Sequence, residues 1–415
     1  MSTDETLLIQ TGRLVTCDPL QATDDNPLGA SDDLSLVVKA GRVAAIGEVT
    51  HLAERFPEAR VIDHRNGVVT PGLVDAHTHA VWVGSRGREY ALRMAGADYE
   101  QISKAGGGIV ASMRAVRAAS LPELTEALAA RLTRMAALGV TAVEVKSGYG
   151  LDEQSERRQL EAVARLGGRR DLPAVVPTFL GLHALPPEAQ GDRDGHGARC
   201  LQWLEGIAAD GLAAYVDAYV DRSAFSVAQA RPLLQRAGQL GLGIRIHVGQ
   251  FADVGGAEFA AELGAASVDH LENVSAAGAA ALAEAGVRAV LLPVASFTLG
   301  QSPPPIALLR EAGVELVVAS DANPGTAPTE SLPLAMALAV RNYGLTVAET
   351  LLGATRGAAA SLGLSGGVLR AGGPADLVLW NLPHEADLIQ PWGGPMAALV
   401  LRDGRPIAGA LRAPA

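Results

Sequence analysis

The stretch TPGLVDAHTH, residues 70–79, joins a short apolar run to two histidines in one extended segment. Because side chains alternate along a strand, His77 and His79 project to the same side, where both imidazoles can reach one metal ion. Seven further apolar runs of strand length follow, separated by alanine-rich segments with helical periodicity. This alternation predicts an α/β fold with a parallel sheet, and eight such units fit a closed (β/α)8 barrel of the TIM type.

The predicted barrel strands are GLVDAH (72–77), AVEVKSG (142–148), AVVPTFLG (174–181), YVDAYV (215–220), GIRIHV (243–248), ASVDHLE (266–272), RAVLLPV (288–294) and VELVVAS (314–320). An open doubly wound sheet would show the same periodicity, so the positions of the chemical groups decide between the two folds. Five of the nine histidines fall at or just past the C-terminal ends of the first, third, fifth and sixth strands. These are His77, His79, His183, His247 and His270. A barrel gathers such strand ends around one mouth, so the histidines favour the barrel.

Both ends of the chain carry short β-type runs punctuated by Gly or Asn, such as LSLVVKAGRVAAIGEV and GGVLRAGGPADLVLWNL. We therefore predict one small β-sandwich domain made from residues 1–70 and 363–415, and a catalytic barrel over residues 71–362. A chain of 415 residues exceeds the size of a single hydrophobic core, in agreement with two domains.

The composition argues against several partners and compartments. The formal net charge is −11 and no basic stripe alternates with aromatic residues, so nucleic acid is not expected to bind. Cys17 and Cys200 lie far apart and outside any CxxC pattern, which argues against a disulfide framework and a thiolate zinc site. The start MSTDETLLIQTGRL does not resemble a signal peptide, and no apolar segment is long enough to span a membrane. A cytoplasmic enzyme without membrane contact is expected.

Asp321 lies in the run VVASDANPG, where the eighth predicted strand ends. With His77, His79 and His247 it would form a set of three nitrogens and one oxygen that suits Zn²⁺ or Fe²⁺. A bound ion lowers the pKa of its water to about 7, and Asp321 is placed to take the proton. His270 could orient the resulting hydroxide and stabilise the oxyanion. Alternatively, Asp321 is an Asx-turn or helix cap, and His270 is a structural histidine.

Lys146 ends the second predicted strand in EVKSGYG. Some barrel hydrolases use a carbamylated lysine to bridge two metal ions, but that lysine comes from the fourth strand. The fourth strand here reads YVDAYVD and carries no lysine, so one metal ion is expected.

TPGLVDAHTH followed by SDANPG is the pattern of the amidohydrolase superfamily, and the sequence between them resembles the imidazolonepropionase family. The matching stretches include VEVKSGYGL, TFLGLHALPPE, HVGQF, VDHLEN, LLPVASF and SDANPGTAP, in order over most of residues 70–330. The resemblance implies hydrolysis of 4-imidazolone-5-propanoate to N-formimidoyl-L-glutamate in histidine degradation. It further implies one zinc or iron ion (Fe²⁺ or Fe³⁺) per chain, attack of a metal-bound hydroxide on the ring carbonyl, and a homodimer.

The same resemblance assigns substrate contacts. Arg86 would hold a carboxylate with its planar fork of donors. Related deaminases have a proton-shuttling glutamate where Gln250 stands, and a neutral amide suits hydrogen bonding to an N–C=N edge instead. The remaining contacts implied by the family are Tyr149, His183, Asn323, Gly325 and Thr326.

Two departures from the family pattern stand near the site. Gly249 replaces an acidic residue that is common there, and YVDRSAFS differs from the acidic run expected after the fourth strand. A different cyclic amidase or a heterocycle deaminase is the main alternative function. A third alternative, a binding protein that has lost its metal ligands, is disfavoured because the ligand set is complete. The residues do not decide between zinc and iron.

Overall fold

The computed structural model describes residues 5–96, 107–189, 191–222, 224–392 and 396–410. The strands, in chain order, are β1 (Leu7–Val15), β2 (Ala30–Ser31), β3 (Ser35–Lys39), β4 (Arg42–Gly47), β5 (Arg60–Pro71), β6 (Leu73–Asp75), β7 (Val140–Lys146), β8 (Ala174–Leu182), β9 (Tyr215–Val220), β10 (Gly243–Val248), β11 (Ser267–His270), β12 (Arg288–Leu291), β13 (Leu316–Val318), β14 (Leu377–Trp380), β15 (Ala397–Arg402) and β16 (Arg405–Gly409). They form two separate sheets, one from the middle of the chain and one from its two ends.

The helices, in chain order, are α1 (Val49–Arg55), α2 (Gly87–Met94), α3 (Ile109–Ala118), α4 (Leu121–Ala137), α5 (Glu153–Gly167), α6 (Arg193–Ala209), α7 (Val227–Gln239), α8 (Gly256–Glu262), α9 (Ala276–Ala285), α10 (Pro293–Leu299), α11 (Ile306–Ala312), α12 (Leu332–Tyr343), α13 (Val347–Gly353) and α14 (Arg356–Ser361). Short 3-10 turns cover Pro187–Ala189 and Glu385–Leu388. Across the described residues, we find no helix with the length and apolar character that crossing a membrane requires.

Strands β6 to β13 pair in sequence order and in parallel, which confirms the eight predicted barrel strands. The first and last strands meet just beyond their C-terminal ends. There the backbone N–H of Asp321 donates to the carbonyl of His77 at 3.1 Å, and that of His79 donates to Ala322 at 3.0 Å. The barrel is therefore nearly closed, and its seam passes through three of the predicted metal ligands.

Helix α4 shows how the sequence specifies the outer layer. Ser120 and Glu123 form a reciprocal capping box at its start, which satisfies backbone N–H groups that have no partner within the helix. Leu124, Leu128 and Leu132 follow at intervals of four residues and are fully buried. This spacing places them on one face of the helix, which packs against the barrel strands.

The ends of the chain form one mixed sheet in the order β16-β15-β14-β5-β1-β3-β4, with β2 paired to β1. The sheet curls until β4 and the turn before it approach the segment that precedes β14. The N–H of Val43 donates to Gly373 at 3.0 Å, and the N–H of Ala375 donates to Gly41 at 2.9 Å. One continuous sheet thus encloses the small apolar core that we expected between the two sheets of a sandwich. The domain limits after residues 70 and 362 stay a prediction.

Trp380 packs where the small sheet meets the barrel. Its ring is fully buried, and the indole N–H donates to the hydroxyl of Thr70 at 2.8 Å. Gly139, just before β7, has a φ of +92°, and a Cβ added there would lie 2.3 Å from the Trp380 ring. Both the backbone conformation and the lack of space therefore require glycine at this position.

We expect Gly139→Ala to lower the free energy of unfolding by roughly 2–5 kcal/mol, because overpacking and a left-handed backbone both oppose the new Cβ. Gly313→Ala is the matched control, since Gly313 has a φ of +83° but open space around it. The control should lose only roughly 1–2 kcal/mol. Urea unfolding followed by circular dichroism measures both, and equal losses would contradict the proposed contact with Trp380.

Candidate active site

Three histidines and one aspartate meet at the C-terminal mouth of the barrel. His77 and His79 follow β6, and His247 lies in β10. One ring nitrogen from each of the three lies within 4.8 Å of the others. The Oδ1 atom of Asp321 lies 3.4 Å from His77 Nε2 and 3.5 Å from His79 Nε2. The tertiary structure therefore brings together all four residues that the sequence predicted as metal ligands.

The unsatisfied atoms of this cluster fit a divalent metal ion. The Nε2 atoms of His77 and His247 are buried and have no hydrogen-bond partner among the described residues. Leaving a buried polar atom without a partner costs about 1–3 kcal/mol. Imidazole nitrogens and one carboxylate oxygen are ligands that zinc and iron accept. These residues would satisfy their polar atoms by holding one such ion.

Burial keeps the imidazoles of His79 and His183 neutral. Burial, with nearby His183, holds the pKa of His79 well below its ordinary value. Burial and the neighbouring His247 lower the pKa of His183 to about 4. Neutral imidazoles retain the nitrogen lone pair that metal binding or hydrogen-bond acceptance needs.

Two carboxylates inside the barrel lie behind the clustered histidines. The Nδ1–H of His77 donates to Asp269 Oδ2 at 2.7 Å, and Nδ1 of His247 lies 3.0 Å from Asp217 Oδ2. A carboxylate behind a ligating histidine fixes the ring orientation and leaves Nε2 free for the metal. Both carboxylates are fully buried.

Lys146 lies among these carboxylates. Its Nζ is 2.7 Å from Glu144 Oε1, 2.7 Å from Asp217 Oδ2 and 3.4 Å from Asp269 Oδ2. Burial alone would lower the pKa of Lys146, but the three carboxylates raise it above its ordinary value, so the ammonium is charged. A carbamate would add a fourth negative charge here, so the surroundings suit an ammonium.

The backbone around the site is strained. His270 and Leu271 have φ values of +86° and +72°, and Asp321 has a φ of +54°. Each such residue costs about 1–3 kcal/mol unless its surroundings hold it in place. Two hydrogen bonds hold the first pair: Leu271 N–H donates to Val248 at 3.0 Å, and Asn273 N–H donates to Gly249 at 2.8 Å. Strained residues of this kind concentrate at functional sites.

A cavity of about 710 Å³ opens above the histidines. Six of the seven predicted substrate contacts line it: Arg86, Tyr149, His183, Gln250, Asn323 and Thr326. His270 and Asp321 also face the cavity. The predicted metal ligands and substrate contacts thus belong to one site.

One wall of the cavity is aromatic. The ring of His183 stacks on that of His79 with a centroid distance of 5.0 Å, and its Nδ1–H donates to the carbonyl of Gly148 at 2.8 Å. The ring of Tyr149 lies 5.4 Å from that of His183. A flat heterocycle can pack against these faces.

The sequence suggested that the guanidinium of Arg86 is available to a carboxylate of the substrate, but in the structure it is already paired with Glu89. Its Nε donates to Glu89 Oε2 at 2.8 Å, and its Nη2 pairs with Glu89 Oε1. This edge of the guanidinium is therefore occupied, and Nη1 is the nitrogen that Glu89 leaves unused in this pairing. A Cβ on Gly325 would lie 2.3 Å from Nη1, so the glycine makes room for the guanidinium.

The side chain of Asn323 stabilises its own loop through hydrogen bonds. Its Oδ1 accepts hydrogen bonds from the N–H groups of Gly325 at 2.8 Å and Thr326 at 2.7 Å, and its Nδ2 donates to the carbonyl of Asp321 at 2.7 Å. The expected substrate contact is therefore also the residue that shapes the turn after Asp321.

Gln250 is held at both its side chain and its backbone. Its Oε1 accepts a hydrogen bond from the hydroxyl of Tyr219, and its carbonyl accepts from Asn273 at 3.1 Å and Gln301 at 2.8 Å. The preceding Gly249 has a φ of +66°, a conformation that favours glycine, which gives a structural reason for the residue at this position.

The loop that carries Tyr149 is fixed by one buried carboxylate. Glu156 accepts hydrogen bonds from the N–H groups of Gly148 at 2.7 Å, Gly150 at 2.8 Å and Leu151 at 2.7 Å. Burial raises the pKa of Glu156 to about 6 despite these bonds. The carboxylate is therefore ionised at neutral pH, where it can accept all three.

Sequence reasoning missed Glu89, Asp217, Tyr219 and Asp269. Asp217 and Asp269 were visible as charged residues inside otherwise apolar strands, which is a signal for a buried polar network. Tyr219 carried no such signal, because its partner Gln250 lies 31 residues further along the chain. Glu89 follows Arg86 by three residues, a spacing that is common in exposed helical ion pairs.

The chain is similar to known proteins over most of its length. The family model for the amidohydrolase family matches residues 68–407. The imidazolonepropionase of a Polaromonas species is 45% identical over 391 residues, which cover 93% of this chain and 92% of the relative. The imidazolonepropionase of Ralstonia nicotianae is also 45% identical, over 93% of this chain and 95% of that protein.

Solved structures share the fold at low sequence identity. A triazine hydrolase from Arthrobacter aurescens superimposes with a TM-score of 0.77 at 19% identity, over 99% of this chain and 96% of that chain. An adenosine deaminase from Xanthomonas campestris with bound zinc gives 0.70 at 21% identity, over 97% and 92%. These neighbours support the barrel with its accompanying sheet.

Glu156→Gln should loosen the loop around Tyr149, since a single amide oxygen replaces a carboxylate that accepts three N–H groups. We expect faster amide hydrogen exchange over residues 148–151, measured by mass spectrometry at pH 7. Glu153→Gln, an exposed change in the first turn of the same helix, is the control and should leave this exchange unchanged. Unchanged exchange in Glu156→Gln would refute the role of the carboxylate.

Proposed function

Because this chain belongs to the amidohydrolase family and, within it, to the imidazolonepropionases, we propose that it hydrolyses 4-imidazolone-5-propanoate to N-formimidoyl-L-glutamate. The observation that carries this proposal is the convergence of His77, His79, His247 and Asp321 beneath a cavity that also contains Gln250. A set of ligands for one metal ion beside a neutral amide suits hydrolysis of a cyclic amide.

We further propose that the four clustered residues hold one divalent ion, zinc or iron. When bound, such an ion polarises the carbonyl under attack and lowers the pKa of water to about 7. A second grouping of possible ligands, Asp217, His247 and Asp269, already contains the ammonium of Lys146 against both carboxylates. That arrangement supports a single ion.

In the proposed reaction, Asp321 transfers the proton and His270 stabilises the developing negative charge. Burial opposes ionisation of Asp321, but its contact with His77 lowers the pKa below the ordinary value, so a carboxylate stands ready to accept a proton. Asp321 takes the proton of the attacking water as the new C–O bond forms at the ring carbonyl. The same proton passes to the ring nitrogen as the C–N bond breaks, while His270 stabilises the negative charge on the carbonyl oxygen.

The cavity walls would select the substrate. Arg86 attracts the propanoate carboxylate, and Glu89 holds the guanidinium in place. Gln250 hydrogen-bonds the N–C–N edge of the ring, and the faces of Tyr149 and His183 pack against the ring plane. We also propose a cytoplasmic homodimer that has no nucleic-acid or membrane partner, by resemblance to the family and from the net charge of −11.

Purified protein should consume freshly generated 4-imidazolone-5-propanoate, followed by loss of its ultraviolet absorbance, and should contain about one zinc or iron per chain. His247→Ala should lose most of this metal, and its activity should fall on the order of a hundredfold or more. His51→Ala, at an exposed histidine on α1, is the control and should behave as the wild type.

Each failure of this assay has a distinct meaning. A full metal complement without turnover would discard the substrate but keep the metal site. Ammonia release from a nucleobase or another heterocycle would favour a deaminase. Full activity in metal-depleted protein would discard the metal-dependent mechanism.

Gly325→Ala should weaken substrate binding, because the new Cβ would displace the guanidinium of Arg86. Loss of a charge-assisted hydrogen bond costs about 1.5–3 kcal/mol, so KM should rise roughly tenfold or more, with a smaller change in kcat. Gly87→Ala is the control, since a Cβ there meets only Ser85 Oγ at 3.4 Å. Unchanged steady-state kinetics in Gly325→Ala would contradict the placement of Arg86.

A further inference from the structure

We propose that Lys146 is a positioning residue that holds the carboxylates behind His77 and His247 and thereby sets the affinity of the site for its metal ion. The inference rests on the metal site of the proposed function, but it is independent of the substrate. Lys146 is not among the residues that line the cavity, and its ammonium contacts the site through Asp217 and Asp269.

The ammonium of Lys146 and the two histidines approach the same carboxylate oxygens. Lys146 Nζ lies 2.7 Å from Asp217 Oδ2, and the same oxygen lies 3.0 Å from His247 Nδ1. Lys146 Nζ also lies 3.4 Å from Asp269 Oδ2, which accepts the hydrogen bond of His77 at 2.7 Å. One ammonium therefore contacts the very oxygen atoms that face both histidines.

The two carboxylates need the ammonium to stay where they are. One oxygen of each lies within 4.8 Å of the other, so the two negative charges repel in a fully buried region. Without a cation between them, each carboxylate would turn away from its neighbour and from its histidine. The histidine rings would then lose the contacts that fix their orientation.

The two carboxylates depend on Lys146 to different degrees. Asp269 has a second anchor, because the hydroxyl of Ser267 donates to its Oδ1 at 2.8 Å. Asp217 has no comparable anchor, since its buried Oδ1 lacks a hydrogen-bond partner among the described residues. We therefore expect the loss of Lys146 to act mainly through Asp217 and His247.

Arg245 provides an internal comparison. It is also a fully buried cation in the same layer, but it approaches Glu144 Oε1 at 3.5 Å and Asp269 Oδ1 at 3.6 Å. Its Nη2 and Nη1 donate to the carbonyls of Ala76 and Ser361 at 2.7 and 3.1 Å. Arg245 thus connects the barrel backbone and does not contact the oxygens that face the histidines.

The test measures the zinc affinity of the metal-depleted full chain by competition with a chromophoric chelator. Lys146→Met should bind zinc roughly 10- to 100-fold more weakly than the wild type, the range found for residues that orient metal ligands. Arg245→Met should lower the thermal midpoint of unfolding with little change in zinc affinity. Wild-type affinity in Lys146→Met, or equal losses in both variants, would overturn the proposal.

If the Lys146→Met variant does not fold, two further measurements test the proposal. Asp217→Asn replaces the carboxylate that depends more strongly on Lys146 with an amide of nearly the same volume. This variant should also bind zinc more weakly. Cobalt(II) bound to Asp217→Asn should show a visible spectrum altered from that of the wild type, whereas cobalt in Arg245→Met should not. An unaltered spectrum and wild-type zinc affinity in Asp217→Asn would refute the proposal, even if the wild type turned over the proposed substrate.

Discussion

Three carboxylates buried inside the barrel impose the main constraint on this structure. Glu144, Asp217 and Asp269 are fully shielded from water, where unpaired charges are very costly. Lys146 and Arg245 supply the compensating positive charges, and both are equally buried. Such a layer is costly to maintain in a barrel core that apolar residues could fill. Its place directly behind the clustered histidines explains why it is there.

The seam of the barrel and the site depend on the same atoms. The first and last strands join through backbone hydrogen bonds of His77, His79 and Asp321, so the contacts that close the barrel also set the spacing of these three clustered side chains. Left-handed backbone at Asp321, in this seam, and at His270 and Leu271, at the end of β11, shows that the mouth of the barrel tolerates local strain. Preorganisation of this kind reduces the reorganisation that a reaction requires.

Neighbouring residues also position the side chains around the cavity. Glu89 holds Arg86, Glu156 holds the loop of Tyr149, and the Asn323 side chain shapes the turn after Asp321. Of these positioning residues, Asn323 belongs to the SDANPG motif, whereas Glu89 and Glu156 lie outside the motifs that identified the family. The motifs therefore predict which residues line the cavity, and their neighbours determine where the side chains lie.

Strand periodicity and residue type are local properties of the chain, so they predicted the eight parallel strands and the histidines at their ends. The positions of those histidines then favoured a closed barrel over an open sheet. The sequence also identified the family through motifs that keep their order and spacing. The folded chain was needed to show that the guanidinium of Arg86 pairs with Glu89, that Tyr219 holds Gln250, and that the small domain is one curled sheet. Lys146 shows the reason most clearly: its neighbours Asp217 and Asp269 come from other strands, and only closure of the barrel makes them neighbours.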